Sequence, residues 1–547
     1  MVDIRSSGVG LALAVSLLGG ASHGGMDHAN SKTNKREVTG MSAQSAAVDI
    51  GPRKEFFLDD HLIADKRNVE LVINPGEKHP GNPLLRAEKP WEGWRIYLYG
   101  SVIFDEDVGL FKMWYIAVGS GAVTCYATSS DGIHWDRPPL NLPAFRKYGQ
   151  GNNVVGKFHM ANVMNDPRDP DPARRWKMVC WHPRYRPGLD PKGKRWKDRW
   201  GYCTMISADG IRWEHHSPGP IAYVDGGGDV ITCCYDETRE LYVALLKVHQ
   251  RAAGRTRRCF ALTTSPDFDT WSTPETVLAT DEIDDASIAS RLDAARPILF
   301  ATDEPENLRA DFYGIGLLPT PSVTVAFPWM LWINNASLWG RKKQDGVKTV
   351  QLASSRDLHH WRRCGGRQQI IRQGTARTPP NEDWDSGSIS TAVRPVIHDD
   401  KIWLYYGGHN ITHGHRALYM ADDPRRGNEA TGAIGLVTWR MDGFMSADAG
   451  PNPGCLTTKT LTFKGDRLVV NIEAPNGRFA AELLAVDGTP LPGFDEAACD
   501  ASAGDAIRHV VTWNGRSDVS QHQGRAVRIR FHLENAKLFS YTFGPRQ

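Results

Sequence analysis

Three carboxylates in this chain stand where their neighbours suit them to work on a sugar. Glu92 lies in PWEGW between Trp91 and Trp94, and two indoles beside a carboxyl group make an apolar setting that raises its pKa and readies it to give up a proton to a leaving group. Asp229 ends the run DGGGD, whose glycines let the backbone come close to a ligand; Asp225, at the other end of that run, is its substitute. Asp385, in DWDSGSIS, precedes a β-prone stretch, with an Asx turn as its competing role. Two carboxylates held a few ångströms apart cleave glycosidic bonds, one as acid and the other as base or nucleophile. Tyr313 in DFYGIG and His409 after LYYGG place polar tips on strands, while Trp91 and Trp94 offer faces for a sugar ring. Satisfied core positions are the commoner fate of such a tyrosine or histidine. Asp59 and Asp60 in FFLDDHLI point to opposite faces of a β-rich segment, which is expected to close a ring of sheets.

The elements that must hold these groups are written as a repeat. Four times the chain reads Ser-x-Asp-x-x-x-Trp, at Ser129, Ser207, Ser265 and Ser355, and a short Asp-Gly or Asp-x turn between β-prone residues is a hairpin signature. An acidic turn before an apolar-aromatic strand recurs as well, in FDED before FKMWYIA, NDP before RWKMVCW, YDE before ELYVALL and HDD before KIWLYYGG. Counting sheets gives five, at about 95–137, 156–215, 228–273, 311–362 and 390–444. Repeats of about 40 to 50 residues, each a four-stranded antiparallel sheet, are how propellers are written, so the expected fold is all-β, a five-bladed β-propeller over 48–450. From 451 to 547 the pattern changes to alternating strands such as LVVNIEA, VRIRFHL and LFSYTF, which describes a C-terminal β-sandwich. The Asp of each repeated turn serves the fold by bonding turn amides, since a residue present in every repeat is a poor catalytic candidate.

Bulk properties narrow the partners. Lys and Arg number 65 against 63 Asp and Glu, a balance with no basic surplus to draw nucleic acid or an anionic membrane. The 18 tryptophans are many for this length and serve β-cores first, sugar faces second. Arg5, a short apolar run and the small residues from Gly19 to Ser22 read as an export signal over 1–25, followed by a linker over 26–47; the expected location is secreted or periplasmic. No stretch has the length of a membrane span. Nine cysteines make an odd count, so at least one thiol is free or pairs between molecules; Cys455 and Cys499 are the candidates for a bridge. No phosphate-loop, dinucleotide or zinc motif is present, and no metal ligand set is expected.

The stretch FFLDDHLI, then HPGNPLL, PWEGW, YGSVIFD and FKMWY, followed by the SxDGxxW turns, resembles the five-bladed propeller glycosidases of glycoside hydrolase families 32, 43, 68 and 130, and more narrowly bacterial proteins of the glycosyl hydrolase family 32 N-terminal-like type. The resemblance implies an oligo- or polysaccharide substrate, acids on the innermost strands around an axial funnel, and no cofactor, though some resembled enzymes hold a structural calcium at the axis. It also implies that Asp229, entering the inner strand of the third blade, sits where those families place an acid. Two signatures depart from the pattern. There is no Asn-Asp-Pro-Asn-Gly motif before the first blade, and the Arg-Asp-Pro letters in PRDPDP follow ANVMND on an outer turn, so fructoside chemistry is not implied. The expectation is an exported glycoside hydrolase with Glu92, Asp229 and Asp385 as its acids. The alternative is a non-catalytic carbohydrate-binding propeller, with a sialidase-like hydrolase third.

Overall fold

The computed structural model describes residues 47–544 except 120, 184–199, 217–220, 222–228, 339–342, 379–380 and 415–431. The predicted export signal and Asp225 fall outside the described residues. None of the described helices is long and apolar enough to cross a membrane.

The chain is all-β, and its repeats become sheets laid down in sequence order. The first holds Arg95–Tyr97, Val102–Asp105, Leu110–Gly119, Gly121–Ser129 and Val154–Gly156. The second runs through His159–Asn165, Trp176–Pro183, Trp200–Ser207 and Glu214–His215. The third comprises Ile231–Asp236, Leu241–Ala252, Arg255–Ser265 and Glu275–Leu278. A fourth group begins with Arg309–Pro319, Thr324–Leu338 and Lys343–Val350. It meets the fifth, Ser388–Thr391, Val396–His398, Lys401–His409 and Ala433–Arg440, through one parallel pairing, Lys348 with Ser388.

The repeated turn works through local bonds. In each copy the Ser hydroxyl donates to the Asp carboxylate at 2.9–3.1 Å, and that carboxylate accepts the amides two and three residues on, as Asp131 does from Ile133 and His134 at 2.8 Å. The residue after the Asp is left-handed in all four, Gly132 and Gly210 in two copies, Phe268 and Leu358 in the others. Glycine is required at 132 for a further reason: a Cβ there would lie 2.6 Å from the Tyr405 hydroxyl of the fifth sheet, which donates to the Gly132 carbonyl at 2.8 Å. In the next copy Trp114 Nε1 donates to the Gly210 carbonyl at 2.9 Å. These two turns therefore dock on a neighbouring sheet. Three of the acidic turns, between the first two strands of their sheets, carry ion pairs, Asp105 with Lys112 at 2.6 Å, Asp166 with Lys177 at 2.7 Å and Asp236 with Arg239 at 2.6 Å.

The first strands of successive sheets are tied side by side. Val163 N donates to Ser101 Oγ at 2.8 Å, Cys233 N to Asn162 Oδ1 at 3.1 Å, Thr232 Oγ1 to the Ile315 carbonyl, and Leu317 N to the Val393 carbonyl at 2.8 Å. Val393 N then returns to the Gly100 carbonyl of the first sheet at 3.1 Å. Buried backbone groups must find partners, and here the partner is the next sheet in the series.

A nine-stranded sheet forms around Arg467–Leu484, flanked by Arg528–Glu534 and Ala536–Gly544, beside a parallel pair of Val48–Gly51 with Leu461–Phe463. It recruits the start of the chain: Glu55–Phe56 pairs with Ala536–Gly544, Ile63–Arg67 with Gly454–Thr458, and Glu70–Ile73 with Met445–Ala449. FFLDDHLI accordingly does not close the repeats as the sequence reading expects. Phe57 is buried in the core of the C-terminal sheet, and Asp59 accepts from Arg356 at 2.7 Å. The segments that complete the fifth group are Glu77–Lys78 and Leu85–Arg86, laid along Ala433–Arg440. All nine cysteines are free thiols, so Cys455 and Cys499 are not bridged; Cys499 is buried and accepts the Ala481 amide.

Candidate functional site

The entry ends of the first strands open on one cavity of about 210 Å³. The first sheet brings Arg95, Tyr97 and Tyr99, because in RIYLYG alternate residues face opposite ways: Ile96 and Leu98 are fully buried in the core while the other three line the cavity. The second sheet adds His159, the fourth Tyr313 and Lys348, and the fifth Ser388, His409 and His413. From the third sheet come Asp229 and Lys247. The Lys247 ammonium is paired with the Asp229 carboxylate and lies 4.3 Å from the Tyr313 ring centroid, and His159 Nε2 is 3.7 Å from the same carboxylate. The far ends of these strands line a second cavity of about 590 Å³, where Asp105 and Asp166 are held by their lysines.

Aromatic edges and cations interlock in the smaller cavity. Tyr97 and Tyr99 meet edge to face at 4.8 Å, and Tyr313 meets His413 at 4.9 Å. Lys348 Nζ donates to the Tyr99 hydroxyl at 2.8 Å and lies 4.5 Å from the Tyr313 centroid. Arg95 is stacked over Trp94 at 4.3 Å and Tyr97 at 5.3 Å. Burial, together with the charges of Arg95 and Lys247, lowers Lys348 to about 7, so its ammonium exchanges a proton near neutral pH. Burial alone would raise Asp229, but Lys247, His159 and Arg258 hold it well below the usual carboxylate range. It is a carboxylate throughout the neutral range. Burial, then Arg258 and Lys348, bring His413 down to about 3, and burial lowers His159. At about 3, His413 is a neutral imidazole at neutral pH.

The predicted residues divide. Asp229, Tyr313 and His409 belong to the cavity or its floor. Glu92 does not. It is completely buried, accepting the amides of Glu88 and Lys89 at 2.8 and 2.9 Å, the Tyr115 hydroxyl at 2.6 Å and Arg137 Nε at 2.7 Å. A carboxylate so surrounded is a structural anchor, with no lone pair left for a sugar. Trp91 donates to Asn153 Oδ1 at 2.7 Å, outside the cavity lining, and Trp94 acts on the site only as the platform under Arg95. Asp385 is likewise withdrawn: it is 1% exposed and accepts Lys78 Nζ at 2.5 Å and the Tyr406 hydroxyl at 2.9 Å. That pair ties the edge segment Glu77–Lys78 to the loop leading into Ser388. Among the described residues no group of three His, Cys, Asp or Glu side chains is placed to hold a metal.

The residues that sequence reasoning passed over are Arg95, Tyr97, Tyr99, His159, Lys247, Lys348 and His413. Their signal was the charged or polar residue within an apolar strand, as in VALLKVH and VKTVQL, where a lysine must either pair or face a cavity.

No family model and no curated protein matches the chain. It is similar to solved structures that include a glycosyl hydrolase from Bacteroides ovatus, 12% identical, with a TM-score of 0.36 over 68% of this chain and 94% of that one. Another is an N-acetylgalactosamine deacetylase from F. plautii in complex with blood group B trisaccharide, 14% identical, with a TM-score of 0.35 over 73% of this chain and 96% of that one. A further structure, titled glycoside hydrolase, is 13% identical with a TM-score of 0.38, over 67% and 92% of the two chains. The chemistry of this chain is read from its own residues.

Proposed function

We propose that the protein is an exported glycoside hydrolase built as a five-bladed β-propeller, with the cavity at its axis as the saccharide site and Asp229 as its carboxylate. The observation that carries this reading is the convergence of side chains from four sheets, far apart in sequence, on one polar and aromatic cavity, with Asp229 and Lys247 of the third sheet touching the His159 and Tyr313 that line it. The bonds that step from each first strand to the next and return to Gly100 support the radial arrangement. Pockets of clustered tyrosines with a few fixed polar groups suit sugars, whose rings carry apolar faces and hydroxyl edges.

Asp229, ionised against Lys247, suits the part of base or nucleophile rather than the acid the sequence suggested. With Glu92 and Asp385 consumed by the fold, the group poised to hand a proton to the leaving oxygen is Lys348, at about 7 and bonded to Tyr99. Two groups whose environments separate their protonation states are what acid–base cleavage needs.

Release of sugar from a glycan panel, compared with an Asp229→Asn variant, tests the reading. The expected loss is about 10²-fold or more in kcat, and equal release by both proteins would remove Asp229 from the mechanism. A second reading, a carbohydrate-binding propeller without catalysis, is favoured by one observation: among the described residues Asp229 is the one carboxylate in contact with the cavity's side chains. Glycan binding with no release across the panel would select it.

A further inference from the structure

Among the described residues the charges around the cavity do not balance. On its floor Lys247 has Asp229, while Arg258 and Arg309 share Asp311 at 2.9 and 3.3 Å. Arg95 and Lys348 form no direct ion pair with a carboxylate among the described residues, and Asp229 acts on Lys348 only through space, more weakly than burial and the neighbouring cations. Arg95 Nε is buried and makes no hydrogen bond there, and Lys348, itself only 3% exposed, has a neutral phenol as its bonding partner. The two cations are close enough for Arg95 to lower the proton affinity of Lys348. Like charges facing each other in a buried place are costly unless an anion joins them.

Resting on the saccharide reading above, we propose that the substrate is an acidic saccharide, and that the carboxylate of a uronic acid unit sits on the Arg95 guanidinium beside Lys348. The guanidinium is pre-oriented between the Trp94 and Tyr97 rings, which fixes its plane and leaves its edge to form the paired bonds that carboxylates accept. The cavity, at about 210 Å³, is several times the roughly 30 Å³ share of one water molecule. A bare oxyanion would leave most of it filled with water, whereas a sugar ring against Tyr99 and Tyr313 occupies it. The anion would also relieve the repulsion between Arg95 and Lys348 and keep Lys348 protonated for its role as donor.

The experiment is calorimetric titration with oligogalacturonate, oligomannuronate and oligoglucuronate, each against its own methyl ester, which removes the charge and keeps the sugar. Inorganic phosphate and sulfate are titrated as separate arms. The expected result is that one acid binds at least about tenfold tighter than its ester, as charge-assisted hydrogen bonds allow, and that Arg95→Gln erases the preference. Arg95→Lys, which keeps the charge and loses the fork, is expected to retain part of it and stands in if the glutamine variant fails to fold. Equal or tighter binding of the esters would overturn the carboxylate seat and leave the saccharide reading standing. Phosphate or sulfate binding as tightly as the acid would overturn it in favour of a free oxyanion. A preference that survives in both variants would remove Arg95. No binding of either form in any pair would overturn the acidic substrate, and the saccharide reading would then stand or fall on the glycan panel alone.

Discussion

Replacing Lys348 by methionine should stabilise the fold while disabling the site. The ammonium is almost fully buried and its proton affinity falls from the usual 10.5 to about 7. At about 1.36 kcal/mol per pH unit, that fall corresponds to roughly 5 kcal/mol of cost in holding the charged form inside the protein. Methionine has similar length and no charge, and what it gives up is the bond to the Tyr99 hydroxyl, about 1 kcal/mol. The expected gain is therefore roughly 3–4 kcal/mol where the lysine is charged. Its pH course follows from linkage. Below about 7 the lysine is protonated in both folded and unfolded chains, so the cost is fully present. Between about 7 and 10.5 the unfolded chain binds more protons, and wild-type stability rises with pH. The advantage of Lys348→Met should shrink through this window and vanish near its upper end, leaving a small deficit from the lost bond. Calorimetric Tm values at pH 6 and pH 10 read this directly, with a variant several degrees more stable at pH 6. A variant less stable at pH 6, or an advantage that does not change with pH, would refute the claim that the burial of Lys348 outweighs what Asp229 gives back.

Two further substitutions separate structural carboxylates from the site. Glu92→Gln leaves the Arg137 guanidinium, 8% exposed, with only the exposed Glu88 at 3.4 Å as counter-charge, and should cost about 3–5 kcal/mol in urea denaturation while glycan affinity of the folded protein stays unchanged; loss of activity with full stability would return Glu92 to the catalytic set. At Gly408 an added Cβ would lie 2.4 Å from the Trp384 ring and 2.5 Å from the Asp385 Cβ, so Gly408→Ala should destabilise by about 1–3 kcal/mol through overpacking, and a Tm equal to wild type would show that the loop before Ser388 is free to move.

The repeat was legible because its chemistry is local. Ser129, Asp131 and the turn amides bond within a few residues, so one stretch of sequence carries the whole unit, and four copies of it report four hairpins. Glu92 was misread for the opposite reason. Its flanking indoles suggested an apolar setting, but the residue that decides its role, Arg137, is 45 positions away. Asp385 is decided by Lys78 across 307 positions. No local pattern encodes such partners. FFLDDHLI presented the same difficulty: its alternation says strand, but whether it joins the repeats or the C-terminal sheet is settled by Phe57 packing beside Phe531 and Tyr541, more than 470 residues on by their numbering.

Asp385 links the frame to the cavity although it performs no chemistry. By holding Lys78, it ties an edge segment that lies on the fifth sheet to the loop that enters Ser388, and Ser388 pairs with Lys348 at the cavity wall. The same three residues therefore complete a sheet and fix the backbone of the cation that most burdens the fold. A buried charge with no counter-ion moves toward water whenever its backbone allows it. Anchoring Lys348 between a parallel pairing and a phenol denies it that route. The cost is kept in the free protein as an unmet demand for an anion, and a ligand that supplies one gains that free energy on binding.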